Sequence, residues 1–209
     1  MSQYLLVRHG TTDWVEKRIL HGVTDIPLNA QGLQQAREAA SALASVKAKA
    51  LYASPLSRCR QTAEIISGNL GLAPIYLESL REMDFGWLEG RPFRDHSTQN
   101  YGFLARSFDS LMQSVIRPLS GESIRRFRQR VMRAWHRIVE ENPQGTIVVV
   151  GHSAVINQIL IYYFGMNFPD GQTHYSISPG SISEIRVDGD GQATLARLND
   201  TAHLNERKP

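Results

Sequence analysis

Cysteine is nearly absent from the chain, because Cys59 is the only one among 209 residues. A single cysteine excludes a disulfide within the chain and is typical of proteins kept in a reducing compartment. The first residues also lack the basic region and apolar core that together form an export signal. We therefore expect a cytoplasmic protein.

Long apolar runs and a strong excess of one charge are absent as well. The apolar run from Ala154 to Phe164 is interrupted by Asn157 and Gln158 and is too short to cross a bilayer. The net charge of +3 would help to attract an anionic small molecule but does not indicate nucleic-acid binding. With 42% hydrophobic and 21% charged residues, the composition favours one globular domain over residues 1–209, without a membrane or nucleic-acid partner.

Several motifs of phosphate chemistry are also missing. There is no G-x-x-x-x-G-K-[ST] phosphate-binding loop, and the residue six positions after Cys59 is Ile65 rather than the arginine of a cysteine phosphatase. Gly151-His152-Ser153 lacks the central serine of a nucleophile elbow, and Asp188-Gly189-Asp190 fits a hairpin turn better than a nucleophile motif. No His, Cys and carboxylate cluster has metal-ligand spacing. Histidine and arginine chemistry without a metal remains.

Short apolar runs alternate with amphipathic stretches along the chain. Strands are predicted near 5–8, 50–53, 74–80, 146–150, 181–187 and 193–198, and helices after Asn29 and Ser54, over 122–141 and over 154–164. The predicted buried stripe of the helix over 122–141 is Ile124, Phe127, Val131, Trp135 and Ile138, and the five arginines Arg125, Arg126, Arg128, Arg133 and Arg137 are expected on its solvated face. This alternation predicts an α/β fold of three layers, with a mostly parallel central sheet and helices on both faces.

Two histidines follow predicted buried strands, in Val7-Arg8-His9-Gly10 and in Val150-Gly151-His152-Ser153. Ligands of such sheets bind outside the carboxyl ends of strands, so both imidazoles are expected at one edge of the sheet. Arg8 offers a planar fork of donors for phosphate oxygens, and His9 can attack phosphorus or transfer protons. Alternatively, His9 is a strand-end histidine without a role and His152 a satisfied core histidine.

An ordered series of short motifs extends over nearly the whole chain. It comprises Val7-Arg8-His9-Gly10-Thr11-Thr12-Asp13-Trp14, His21-Gly22, Asp25-Ile26-Pro27-Leu28-Asn29 with Gly32 and Gln35-Ala36, Ser54-Pro55-Leu56-Ser57-Arg58 with Gln61-Thr62-Ala63, Leu80-Arg81-Glu82 with Phe85-Gly86 and Glu89-Gly90, Gly121-Glu122-Ser123 and Gly151-His152-Ser153. This series resembles the histidine phosphatase (phosphoglycerate mutase-like) superfamily, and within it the phosphatase branch. The resemblance implies a phosphoglycerate mutase-like fold, a small-molecule phosphate ester as partner, no cofactor and no metal, in a monomer or homodimer.

The resemblance also implies roles for individual residues. His9 would be the nucleophile that forms a phosphohistidine, and Arg8, Arg58 and an imidazolium at His152 would surround the transferred group. Glu82 would protonate the leaving oxygen and then activate water, and its place in the Leu-x-Glu…Phe-Gly pattern favours it over Glu78, Asp84 and Glu89. The expected substrate contacts are Arg8, Gly10, Thr12, His21, Gly22, Arg58, His152 and Ser153, with backbone N–H donors near Gly10 and Ser153.

Some residues are ambiguous or depart from the family pattern. On the pattern alone, Arg58 would be a solvated arginine on a polar helix face, and Cys59 a small core residue beside it. Thr11, Val15 and His21 stand where many members have an acidic residue, an asparagine and a glutamine. These departures concern substrate binding more than the phosphoryl-transfer chemistry.

Residues from about 85 to 119 are predicted to form a capping excursion that selects the substrate. It contains Phe93, Arg94, Tyr101, Phe103, Arg106 and Phe108, whose aromatic rings could equally form the small core of the cap itself. Two other functions remain open: a cofactor-dependent phosphoglycerate mutase, which usually needs longer insertions than this chain offers, and a non-catalytic module that binds a phospho-ligand. The non-catalytic module predicts at least one lost catalytic residue, and none is lost here.

Overall fold

The computed structural model describes residues 1–92, 121–165 and 174–204. Its centre is a six-stranded sheet in the order β3-β2-β4-β1-β5-β6. The strands are β1 (Ser2–Arg8), β2 (Ala48–Ala53), β3 (Pro74–Tyr76), β4 (Gly145–Gly151), β5 (Ile182–Val187) and β6 (Ala193–Asp200). β3, β2, β4 and β1 run parallel, whereas β5 is antiparallel to β1 and β6 is antiparallel to β5. The prediction of a mostly parallel α/β sheet is confirmed.

The helices cover both faces of this sheet. They are α1 (Asp13–Glu16), α2 (Ala30–Ala42), α3 (Ser57–Leu70), α4 (Ile124–Glu141) and α5 (Ser153–Phe164), with 3-10 turns at Glu78–Leu80 and Gly86–Leu88. Alternate residues of the central strands enter two separate apolar clusters, as the period of two in a strand requires. One cluster joins Leu5, Val7 and Val148 to α2 and α3, and the other joins Leu6, Ile147 and Val149 to α4 and α5. The predicted three layers are therefore present.

Local sequence signals explain where these helices begin. The Asn29 side chain accepts a hydrogen bond from the Gly32 N–H and so caps α2, as predicted, and Ser123 caps α4 in the same way through Arg126. The helix predicted after Ser54 begins at Ser57, where the Asp25 carboxylate accepts from the Ser57 N–H at 2.7 Å. A residue distant in sequence thus supplies this cap.

Two details of the prediction were wrong. The strand predicted over 74–80 ends at Tyr76, because the chain then enters the 3-10 turn at Glu78–Leu80. Ile124 is 50% exposed instead of belonging to the buried stripe of α4, since it is the first residue of the helix and lies beyond the packed region. The other four residues of that stripe are buried. No helix within the described ranges is both long and apolar enough to span a membrane.

Candidate active site

The carboxyl ends of β1 and β4 place two histidine rings side by side. The His9 N–H donates to the Gly151 carbonyl at 3.0 Å, which locks the two strand ends together. His152 follows β4 directly and is the residue before the first turn of α5. The two rings are 5.2 Å apart between centroids, and both side chains are buried. The sequence-predicted pair therefore meets at one edge of the sheet.

The backbone selects one tautomer of His9. Its Nδ1 lies 2.7 Å from the Gly10 carbonyl, which can only accept, so Nδ1 carries the ring proton. Burial lowers the pKa of His9 well below its ordinary value, and the charges of Arg58 and Arg8 lower it further. His9 is thus neutral at physiological pH, with the lone pair of Nε2 free to act as a nucleophile.

His152 is held in the opposite tautomer. Arg58 donates from Nε to Nδ1 at 3.3 Å, so the proton of the neutral ring is on Nε2, which donates to Ser54 Oγ at 2.8 Å. Burial, followed by the charges of Arg58 and His9, keeps the pKa of His152 well below its ordinary value. The neutral ring favoured here, with an arginine donor at one nitrogen, differs from the imidazolium that the resemblance implies around a transferred group.

Arg58 is fully buried in the first turn of α3, which corrects the interpretation of the helix pattern alone. Its Nη1 donates to the Thr24 carbonyl at 2.9 Å and its Nη2 to the Gly22 carbonyl at 2.7 Å. Within the described ranges the guanidinium forms no ion pair with a carboxylate. A guanidinium has five N–H donors, so two remain to meet an anionic group. Such a buried, uncompensated cation suits the binding of a phosphoryl group.

Glu89 fixes the loop that holds Arg58. Its carboxylate accepts from the N–H groups of Val23 at 2.9 Å, Thr24 at 2.8 Å and Phe85 at 3.0 Å, and from the Thr24 hydroxyl. Gly22 adopts φ +55°, and a Cβ on it would lie 1.8 Å from Glu89 Oε1, so this approach requires glycine. The motif series contains Glu89, but sequence reasoning considered it only as an alternative proton donor and missed this contact.

We expect Glu89→Ala to lower kcat/KM for the phosphate release that the motif series implies by about 10- to 100-fold, because small displacements of catalytic groups carry penalties of that size. The loop of residues 22–24 would lose the carboxylate that binds its N–H groups, and Arg58 would lose its fixed acceptors. Steady-state kinetics and thermal unfolding measure the effect. Glu64→Ala, which removes an exposed carboxylate from α3, is the matched control. Unchanged kcat/KM in Glu89→Ala would show that Arg58 does not depend on this loop.

Glu82 reaches the start of α5 from the loop that follows the first 3-10 turn. Its Oε1 accepts from the Met83 N–H at 2.9 Å, and its Oε2 accepts from the Ala154 N–H at 3.4 Å. Burial raises the pKa of Glu82, although the two backbone N–H donors and the charges of Arg58 and Arg8 oppose that effect. A carboxyl group with a raised pKa, next to the residues that follow His152, can carry a proton to a bound ester.

The three alternative carboxylates have other partners. Glu78 is exposed and pairs with Arg81, Asp84 accepts from the Gly86 N–H, and Glu89 holds the loop described above. Of the four, only Glu82 has a hydrogen bond to α5 within the part of the chain that the structure describes. This placement supports the choice of Glu82 made from the motif.

Arg8 approaches the same region from the end of β1. Its Nη1 donates to the Ile177 carbonyl, and its buried Nε has no hydrogen-bond partner within the described residues. Burial lowers the pKa of Arg8 to about 10, Glu82 raises it, and Arg58 lowers it. Arg8 therefore stays charged at neutral pH, with donors available.

The sequence also predicts substrate contacts at Gly10, Ser153, Thr12 and His21. The Gly10 N–H donates to Thr62 Oγ1 at 3.3 Å, whereas the sequence predicts that backbone donors near Gly10 contact the substrate. A Cβ on Gly10 would lie 2.3 Å from the Gly32 carbonyl oxygen, so Gly10 is needed for close packing. Ser153 is partly buried and opens α5 beside His152, where helix N–H groups favour anions.

Thr12 and His21 contact each other. Thr12 is fully buried, its hydroxyl accepts from the Val15 N–H at 3.1 Å, and it lies 2.5 Å from His21 Nε2. Burial lowers the pKa of His21 to about 4, with further lowering by Arg58 and Arg8, so this ring is neutral. His21, which stands where many family members have a glutamine, thus forms a hydrogen bond with Thr12.

Cys59 is buried in the apolar cluster against α2 and α3, as predicted, and its Sγ lies 3.5 Å from His152 Nε2. Burial raises the pKa of this thiol to about 12. The substrate-selecting residues predicted between 93 and 108 lie outside the described residues. Within the described ranges, no three His, Cys, Asp or Glu side chains are grouped to hold a metal ion.

Comparison with known proteins gives a consistent result. The family model of the histidine phosphatase superfamily (branch 1) matches residues 4–201. The uncharacterized phosphatase PhoE of Bacillus subtilis is 32% identical over 160 residues, which are 77% of this chain and 76% of that protein. Bacillus stearothermophilus YhfR superposes with a TM-score of 0.82 at 27% identity, over 98% of this chain and 100% of that one. A phosphoserine phosphatase mutant of Entamoeba histolytica, in complex with phosphoserine, superposes with a TM-score of 0.77 at 27% identity, over 98% and 100% of the two chains.

Proposed function

Because the chain belongs to the histidine phosphatase superfamily, we propose that it hydrolyses a small-molecule phosphomonoester through a phosphohistidine on His9. The observation that carries this proposal is the tautomer of His9, whose Nδ1 is bound to the Gly10 carbonyl at 2.7 Å. Only a neutral ring with its proton on Nδ1 presents Nε2 as a nucleophile. Arg8 and Arg58 supply the positive charge that stabilises phosphoryl transfer, and we propose that the reaction needs no metal ion.

In the first step, His9 Nε2 attacks phosphorus while the bond from phosphorus to the ester oxygen breaks. The proton on the Glu82 carboxyl passes to that oxygen, so the leaving group departs as a neutral alcohol. Arg8 and the two spare donors of Arg58 bind the equatorial oxygens, where the charge accumulates. The products of this step are phosphohistidine, the alcohol and a Glu82 carboxylate.

In the second step, the Glu82 carboxylate accepts a proton from water as the water oxygen attacks phosphorus. The bond from phosphorus to Nε2 breaks, which returns His9 to its neutral form, releases phosphate and restores the proton on Glu82. The raised pKa of Glu82 suits both steps, because the carboxyl group must hold a proton in the first step and accept one in the second.

The neutral state of His152 is compatible with this cycle. A dianionic phosphoryl group placed between His9 and His152 would raise the pKa of both rings, because an opposite charge favours the protonated form. We propose that His152 then binds an equatorial oxygen through its Nε2 proton, while its Nδ1 keeps the hydrogen bond from Arg58 Nε. Its contact with Ser54 would be exchanged for the one with the substrate.

A small phosphorylated metabolite is the proposed substrate class. The Entamoeba histolytica neighbour that binds phosphoserine supports this, since its fold covers 98% of this chain. The mild positive net charge of +3 and the buried cations favour a compact anion. Phosphoserine and 3-phosphoglycerate therefore belong in the first substrate panel.

The test is phosphate release from a panel of phosphomonoesters in the presence of a metal chelator. We expect release with turnover that does not depend on the chelator, and a ranking of substrates by kcat/KM. Isomerisation of 3-phosphoglycerate without release would replace the phosphatase proposal by a mutase. If the folded protein binds phosphate but shows neither phosphate release nor isomerisation, its function is that of a non-catalytic binding module.

A further inference from the structure

Arg130 differs from the five arginines predicted on the solvated face of α4. Its side chain is only 17% exposed, whereas Arg125, Arg126, Arg128, Arg133 and Arg137 are exposed. Its Nη1 donates to the carbonyls of Ser79 at 2.9 Å and Arg81 at 2.8 Å, and its Nη2 donates to the carbonyl of Glu82 at 3.2 Å. One side chain thus holds three backbone positions in the four residues that end at Glu82.

Glu122 holds Arg130 in this position. Its two carboxylate oxygens accept from Arg130 Nε at 2.9 Å and Nη2 at 2.6 Å, which forms a two-pronged ion pair with both side chains mostly buried. With the three carbonyls, this pair uses all five N–H donors of the guanidinium. An arginine with every donor engaged has little rotational freedom and fixes whatever it binds.

The backbone after Glu82 is fixed by the same segment. The Glu122 N–H donates to the Asp84 carbonyl at 2.9 Å, and a Cβ on Gly121 would lie 2.6 Å from that carbonyl oxygen. Glu82 is therefore anchored on both sides by residues 121, 122 and 130. Among the residues that the structure describes, the Glu82 carboxyl accepts only from the N–H of its neighbour Met83 and, at 3.4 Å, from the N–H of Ala154, so its position depends on its backbone.

We propose that Arg130, oriented by Glu122, is a positioning residue for proton transfer by Glu82. It fixes the backbone over residues 79–82 and so keeps the carboxyl at the start of α5. This inference rests on the proposed role of Glu82 as proton donor. It does not make Arg130 essential to the fold, because Leu80 and Met83 are buried in the apolar cluster beside α4 and anchor the same loop independently.

The test compares two esters that differ in the need for a proton. The leaving group of an alkyl phosphate is a basic alkoxide that must be protonated. The leaving group of p-nitrophenyl phosphate is a stabilised phenolate, which departs without a proton. The constant kcat/KM reports the first phosphoryl transfer and excludes the later hydrolysis. For Arg130→Ala we expect kcat/KM to fall about 10- to 100-fold with the alkyl ester and about twofold or less with the nitrophenyl ester. The loss stays at or below the lower end of the range of about 10²–10⁴-fold for general acid catalysis, because the Glu82 carboxyl is displaced and not removed.

Three further variants make the result decisive. Glu82→Gln shows how strongly kcat/KM depends on the leaving group when the proton donor is lost. Arg128→Ala removes an exposed arginine from the same helix and is the control. Glu122→Gln weakens the ion pair and replaces Arg130→Ala if that variant does not fold. We expect Glu122→Gln to show the same dependence as Arg130→Ala at smaller size, and Arg128→Ala to show none. Thermal unfolding confirms that each variant compared is folded.

The outcomes separate this inference from the proposed function. Leaving-group dependence in Glu82→Gln but not in Arg130→Ala and Glu122→Gln would overturn the positioning role alone. Equal loss of kcat/KM with both esters in Arg130→Ala, accompanied by a lower unfolding temperature, would reduce Arg130 to a structural residue. No dependence in Glu82→Gln would overturn Glu82 as the proton donor, and the inference with it.

Discussion

Replacement of His9 by alanine is expected to lower kcat for phosphate release by on the order of 10⁵-fold, the size of effect that removal of a covalent nucleophile produces. The variant retains Arg8, Arg58, His152 and Glu82, so it can still bind the ester and protonate the leaving group. It lacks the nitrogen that we propose forms the intermediate, and water would have to attack the ester directly. Phosphate release under chelator, compared with wild type at equal concentration, measures the loss.

The same variant tests the intermediate. Wild type quenched during turnover is expected to carry phosphate in a linkage that is labile in acid and stable in base, as a phosphohistidine is, and His9→Ala is expected to carry none. His136→Ala is the control, because His136 is an exposed histidine on α4. Substantial release by His9→Ala, or an equal amount of bound phosphate in both proteins, would contradict the proposed nucleophile.

The layers of the fold could be predicted because they follow from local patterns. Five β-branched residues over 146–150 favour a central strand, and the structure places β4 between β2 and β1. Apolar residues at helical spacing indicate which face of α4 is buried. Such signals fail where an element ends, as at β3, because the point at which a strand turns into a 3-10 turn depends on packing distant in sequence.

The burial of Arg58 could not be predicted from its own helix. A cation on a polar helix face normally faces solvent, and only the motif series argued otherwise. The structure supplies the reason, since the loop of residues 22–24 covers α3 and offers the carbonyls of Gly22 and Thr24. Carbonyl acceptors occur at every residue, so no sequence pattern marks the two that bind an arginine.

The sequence likewise could not show which ring nitrogen of each histidine carries the proton. Which ring nitrogen carries the proton depends on the partner of the other nitrogen, here a carbonyl for His9 and an arginine donor for His152. The contact between Arg58 Nε and His152 Nδ1 joins residues far apart in the chain, so no local pattern could indicate it. Arg130 was missed for the same reason, since its partners lie near residue 80.

Replacement of Arg58 by alanine is expected to lower kcat/KM by about 10³-fold, an effect comparable with loss of a charged donor at the transition state. Arg58→Lys is expected to recover only part of the loss, because an ammonium keeps the charge but not the planar fork that binds Gly22, Thr24 and His152 together. Arg60→Ala is the matched control, as Arg60 is exposed on the same helix. Kinetics of the three variants with one good ester provide the measurement.

The charge of Arg58 should also affect the pKa values of both histidines. A measurement of these pKa values therefore separates the effect of its charge from that of its contacts. Its cationic group lowers the pKa of His9 and of His152, so its removal raises both values. The imidazole signals of Arg58→Ala, followed by NMR, should therefore shift their midpoints to higher pH than in wild type, and those of Arg58→Lys should shift less. Because His9 must be neutral to attack phosphorus, the acid limb of kcat/KM should move to higher pH in the same order. Unshifted midpoints with lost activity would mean that Arg58 acts only by contact with the phosphoryl group, and the charge coupling within the site would have to be abandoned.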